Sequence, residues 1–176
     1  MSKRIATDEY FRLPETNRPM ELAYGYVREP AMPFGDHQLV VVRLCSLLDA
    51  HVRERDMGKV FTPLDVVLDR EAALVVQPDL LFISKARLAI VPDRVWGPPD
   101  LVVEVASPST EQHDRTLKAA WYGRYGVKEC WLVYPRDRRI EVVDFNANSR
   151  ESFEGDGRIR SRVLPEFNER AAACFE

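Results

Sequence analysis

Pro78-Asp79, Glu104 and Lys118 are the residues whose types and order along the chain can do chemistry. Pro78-Asp79 opens Asp79-Leu-Leu-Phe-Ile83, an apolar run of strand length. Asp100-Leu-Val-Val-Glu104-Val-Ala106 is a second such run, with a carboxylate near its C-terminal end. Two acids on neighbouring strands can share one divalent ion. Their oxygens suit Mg2+ or Mn2+, and the backbone carbonyl of Val105 offers a third ligand. Such an ion activates a water and neutralises a phosphate, which phosphodiester hydrolysis needs. Lys118, on the helix expected next, is placed to orient the attacking water or to offset charge gathering on the phosphate.

Each of these residues also has a purely structural reading, and the residues alone leave both open. An aspartate after proline is a common turn former. Glu104 fits an edge strand with its carboxylate in solvent, because burying it without a partner is costly. Lys118 reads as an ordinary solvated helix lysine, with Asp114 as an N-cap four residues before it.

The elements that must position these residues follow from patterning. Thr7 caps a short helix that Pro14 stops, and Met20 to Val27 forms a strand or tight hairpin around Gly25. A strong helix starts at Asp36, with Val40, Leu44, Leu47 and Leu48 at helical spacing. Val60, Thr62, Leu64, Val66 and Leu68 share one face of a strand, and Asp69 to Ala72 makes a turn into Leu74-Val-Val76. A loop over 85–99 precedes the Glu104 strand. Ser107-Pro-Ser-Thr110 then reads as a turn before a helix at 114–125, whose apolar face is Leu117, Ala120, Trp121 and Tyr125. Cys130 to Tyr134 and Arg139 to Phe145 form a hairpin, and a weak strand is expected near 159–163. The fold class expected is α/β, a mixed α+β arrangement with a mixed β-sheet flanked by helices. At 176 residues it reads as one domain over 1–176.

Composition narrows the function. The chain is 45% hydrophobic and 30% charged, without an apolar run of membrane-spanning length or a signal-peptide segment, so a cytoplasmic protein off the membrane is expected. Cys45, Cys130 and Cys174 form no Cys-x-x-Cys pair, which removes zinc knuckles and disulfide frameworks. A net charge of −3 argues against a dedicated nucleic-acid coat protein, although residues 111–139 carry 7 basic against 4 acidic side chains. No glycine-rich phosphate loop or Gly-x-Ser-x-Gly elbow occurs. His113 reads as a loop residue, and Arg136, Arg138 and Arg139 as a hairpin tip that is either solvated or set against phosphates.

Taken together, these segments resemble a known family. Glu21-Leu-Ala-Tyr-Gly25, His37-Gln38, Val76-Gln-Pro-Asp79-Leu and the run from Gly97 to Thr110 resemble the Uma-type family of the PD-(D/E)XK nuclease superfamily, formerly a domain of unknown function. The likeness continues through Asp114, Lys118, Tyr122, Gly126-Val127 and Glu129-Cys-Trp-Leu-Val133. It implies a restriction-endonuclease-like core, a divalent-metal site and a homodimer. The standard superfamily pattern has lysine where Ala106 stands, and in the Uma-type family that lysine has moved to the helix, which makes Lys118 its counterpart. The resemblance also nominates Glu21 as the first acid and His37 as a site neighbour. Cys130 replaces a usual tyrosine, and Tyr134 replaces a common aspartate.

The reading is a Mg2+- or Mn2+-dependent DNA endonuclease. Asp79, Glu104 and Val105 bind metal, Lys118 assists, and Glu21 and His37 complete the site. The alternative is a catalytically silent dimeric module of the same fold that binds nucleic acid or regulates. Metal bound at Asp79 and Glu104 distinguishes the first, and DNA binding indifferent to chelator the second.

Overall fold

The computed structural model describes residues 3–14, 16–30, 35–106 and 112–176, the side chains of 112–115 excepted. Ser107-Pro-Ser-Thr110 and the side chains of His113 and Asp114 thus lie outside the described residues. Eleven strands, β1 (Glu21–Ala23), β2 (Tyr26–Arg28), β3 (Gly58–Phe61), β4 (Val66–Asp69), β5 (Leu74–Val76), β6 (Leu80–Ser84), β7 (Val95–Trp96), β8 (Leu101–Val105), β9 (Glu129–Tyr134), β10 (Arg139–Asp144) and β11 (Ser149–Glu154), form two mixed sheets. The first runs β2-β1-β5-β4-β7 and the second β11-β10-β9-β8-β6-β3. Among the described residues three α-helices join them: α1 (Thr7–Tyr10), α2 (Gly35–Glu54) and α3 (Gln112–Arg124). The class is mixed α/β, as the patterning indicates.

The second sheet carries the argument. β8 lies inside it, parallel to β9 and antiparallel to β6. That removes the edge-strand reading of Glu104. Alternation along β8 sends Leu101, Val103 and Val105 to one face, where Val40, Val41, Leu44, Leu48 and Val52 of α2 pack against them. Val102 and Glu104 point to the other face, with Cys130 and Leu132 of β9 and Tyr122 of α3. The first sheet covers this same face through Val66, Leu74, Val76 and Val95. Glu104 is therefore confined between a helix and a second sheet, and its partners must come from them.

Two tight turns set the approach of the chain. Tyr24 and Gly25 both have positive φ, 51° and 89°, which fits the two-residue hairpin joining β1 to β2. Gly58 opens β3 at a φ of 154°, and a Cβ there would lie 2.1 Å from the Ile83 carbonyl oxygen. Only glycine lets β3 pair with β6 at that point.

Four expectations are corrected. The continuous strand through residues 60–68 is two strands in different sheets, β3 and β4, because Pro63 offers no N–H to a ladder and the chain crosses over there. No strand occupies 159–163. Instead the polar segment Ser149–Glu154 is β11, an edge strand with only Phe153 buried. Thr7 is not a cap: Ala6 holds the N-cap position, and the Thr7 hydroxyl donates to the Arg70 carbonyl at 2.8 Å. On α3 the buried positions include Lys118, Ala119 and Tyr122, while Ala120 is exposed. A lysine sits inside the buried stripe, and apolar periodicity alone passes over it.

Candidate functional site

Five elements bring Glu21, His37, Asp79, Glu104 and Lys118 into one hydrogen-bonded cluster. Glu21 begins β1 and is 3% exposed. Its Oε1 accepts the Gln77 N–H at 3.0 Å, which ties β1 to the chain just before Pro78. Lys118 reaches down from α3 with Nζ 2.9 Å from Glu21 Oε1 and 2.7 Å from Glu104 Oε1. Only 7% of the residue is exposed, so the solvated-lysine reading does not hold. One turn along the helix, the Tyr122 hydroxyl donates to the same Glu104 Oε1 at 2.5 Å.

Asp79 precedes β6 and joins the cluster from the strand end. Its Oδ2 accepts the Val105 N–H at 2.7 Å, so it anchors the peptide that links Glu104 to Val105 instead of closing a local turn. His37, in the first turn of α2, places Nε2 3.3 Å from the same oxygen. Its Nδ1 is buried with no hydrogen-bond partner among the described residues. Every site residue expected from the sequence thus lies in or against one cluster. Tyr122 and Gln77 were not expected there. The four-residue spacing from Lys118 to Tyr122, which places both on one helix face, is the signal that could have revealed the tyrosine.

The electrostatics are those of a buried anionic site. Burial raises the Glu104 pKa, the Lys118 ammonium opposes it, and the charges of Asp79 and Glu21 add to it, leaving Glu104 at about 7. Lys118 is pulled down by burial, but Glu104 and Glu21 outweigh that and hold it well above its ordinary value. It is a permanent cation here and accepts no proton. Burial likewise lowers His37, yet the Asp79 hydrogen bond and charge, with Glu104 and the Val105 backbone, carry it above its usual value. Tyr122, raised well above the ordinary phenol range chiefly by burial, stays a neutral donor.

The donor set fits a hard divalent cation that keeps part of its water shell. Among the described residues no three His, Cys, Asp or Glu side chains gather as an all-protein metal cage. Mg2+ does not require one, since it binds through one or two carboxylates and retains waters. Asp79 and Glu104 are two carboxylates of this kind, and the Asp79 bond to the Val105 N–H holds Asp79 against the end of β8.

Comparison with known proteins agrees with this architecture. A family model named Uma2 and described as "Putative restriction endonuclease" matches residues 7–173. The crystal structure of a "putative nuclease belonging to DUF820" from Anabaena variabilis superposes with a TM-score of 0.84 and 21% identity, covering 97% of each chain. At that identity the likeness shows the fold. No curated protein matches the chain.

Proposed function

The chain belongs to the Uma2 family, and from that premise we propose that it is a Mg2+- or Mn2+-dependent DNA endonuclease. Family and fold support a nuclease role. The observation that carries the finer reading is the buried Lys118 ammonium, shared between Glu21 and Glu104 beside an Asp79 tied to the next peptide.

In this reading Asp79, Glu104 and the Val105 carbonyl hold the ion. When bound, it supplies a more acidic water and withdraws charge from the phosphate. The protein does the rest. Lys118 donates from a fixed position, orienting a water and offsetting negative charge on the phosphate oxygens. Glu21 keeps the ammonium on its side of the site through the 2.9 Å contact. Tyr122 engages Glu104 Oε1 and so fixes the rotation of that carboxylate. His37 does the same for Asp79 from the other face of the sheet. Because the Glu104 pKa lies near 7, the site is fully anionic only above neutral pH.

The test is nicking of plasmid and single-stranded DNA with Mn2+ by wild type, Asp79→Ala and Lys118→Ala, with folding checked by circular dichroism. Loss of cleavage in both folded variants is expected. Equal cleavage by all three proteins would overturn the site assignment.

A further inference from the structure

Beyond the cluster, the α3 face of the second sheet continues outward as a polar groove. Cross-strand register places Leu132 opposite Glu104, Glu141 opposite Leu132, and Ser152 opposite Glu141. These residues form one row on the sheet face that carries the acids. Around Glu141 two arginines gather, with Glu154 at the far side of Arg139. Arg150 Nη1 lies 3.1 Å from Glu141 Oε1, and Arg139 Nη1 lies 3.9 Å from Oε2. The Arg139 guanidinium also stacks 4.1 Å over the Tyr134 ring, whose hydroxyl donates to Glu141 Oε2 at 3.2 Å. Thr116 and Ala119 of α3, the latter adjacent to Lys118, wall the other side of a groove of about 260 Å³.

We propose that this groove binds the phosphate backbone of a polynucleotide strand running away from the Glu104–Lys118 site, through Arg139 and Arg150. The proposal rests on the nuclease reading of that site and names the residues that hold the strand outside it.

Three features support it. Two guanidinium groups gather on one carboxylate that is only 12% exposed, while Glu154 meets Arg139 only at 4.0 Å and is 65% exposed. A guanidinium carries five donors in a planar fork, so each arginine keeps N–H groups beyond those Glu141 accepts. Arg150 has 55% of its side chain in solvent and Arg139 28%, which leaves both reachable from the groove. Stacking on Tyr134 and the grip of Glu141 hold the pair in place before any ligand arrives, which lowers the ordering cost of binding.

The spacing suits a strand. At roughly 4.8 Å between strands, the positions on β10 and β11 lie about 10 and 14 Å from Glu104. Successive phosphates of one strand lie farther apart than the axial rise, and that distance still spans more than one phosphate of a chain. A single phosphodiester group held at Glu104 does not extend that far.

The experiment is a fluorescence-anisotropy titration of a labelled single-stranded oligodeoxynucleotide in EDTA, at salt from roughly 50 to 200 mM. It compares wild type, Arg150→Gln, the double variant Arg139→Gln/Arg150→Gln, and Arg53→Gln. Each lost phosphate contact should make the salt slope shallower by about 0.7, so the double variant differs by about 1.4. Its affinity at low salt should fall about tenfold or more, which a merely structural pair of arginines would not couple to salt. Arg53→Gln, an exposed arginine of α2 outside the groove, keeps the wild-type slope. Arg150→Gln alone, at the more exposed position, serves if the double variant folds poorly. Wild-type slopes in both arginine variants, with Mn2+-dependent cleavage intact, would overturn the groove assignment and leave the nuclease reading standing. A wild-type protein that neither binds nor cleaves DNA would overturn both.

Discussion

Replacing Lys118 by methionine keeps the length of the side chain and removes its charge, and the cost should depend on pH. With Lys118 present, Glu104 ionises at about 7 against an ordinary 4.5. A raised carboxylate pKa means that stability from this group is complete below 4.5 and declines as pH rises to about 7. At about 1.36 kcal/mol per pH unit, the decline amounts to about 3 kcal/mol by pH 7, after which it levels off. Without the ammonium the Glu104 pKa moves higher still, so the decline continues. At pH 8 a Glu104 that keeps its proton costs about 5 kcal/mol on the same scale, or about 1–2 kcal/mol more than in wild type. Glu21, 3% exposed and bonded to Lys118 and the Gln77 N–H, adds its own share. The total at pH 8 should reach about 3–5 kcal/mol, the usual range for breaking a buried pair from one side. At pH 6 Glu104 is largely protonated in both proteins and its part disappears. Lys118's own raised pKa lies above this window and contributes equally at both values. Urea unfolding followed by circular dichroism, in EDTA at pH 6 and pH 8, measures the difference. An equal loss at both pH values would refute the claim that Lys118 compensates the Glu104 charge.

Two further outcomes follow from the same geometry. Divalent ions compete with the Glu104 proton, so Mn2+ affinity measured by titration calorimetry should drop about tenfold between pH 8 and pH 6, and a flat profile would remove Glu104 from the ligand set. Tyr122→Phe deletes the 2.5 Å donor to Glu104. It should cost about 1–2 kcal/mol and shift the pH midpoint of Mn2+ binding upward, whereas an unchanged midpoint would make the tyrosine a packing residue only.

The acids were legible because they violate local pattern. A carboxylate within Leu-Val-Val-Glu104-Val is out of place in a buried strand, and that anomaly is visible without any structure. Most elements follow from periodicity in the same way, including the hairpin of β9 and β10. What escaped is whatever depends on pairing across the fold. Lys118 looks solvated because a lone charged residue on a helix usually is, and only the arrival of Glu21 from another sheet explains its burial. β11 escaped because its partner, not its composition, makes Ser149–Glu154 a strand. The break at Pro63 was visible, yet an alternating pattern continues on both sides of it and conceals the change of sheet.

The charge count of the cluster explains why these partners are needed together. Glu21, Asp79 and Glu104 face one permanent cation, Lys118, and one titrating imidazole, His37. Above neutral pH the three carboxylates outnumber the cations even when His37 carries a proton. Burial makes that imbalance expensive, and the raised Glu104 pKa is its expression: below about 7 a proton settles on the carboxylate instead. In the proposed enzyme a divalent ion takes over that role. Ion and proton then bind the same excess charge, so the feature that weakens the folded protein as pH rises is the one that draws the metal in.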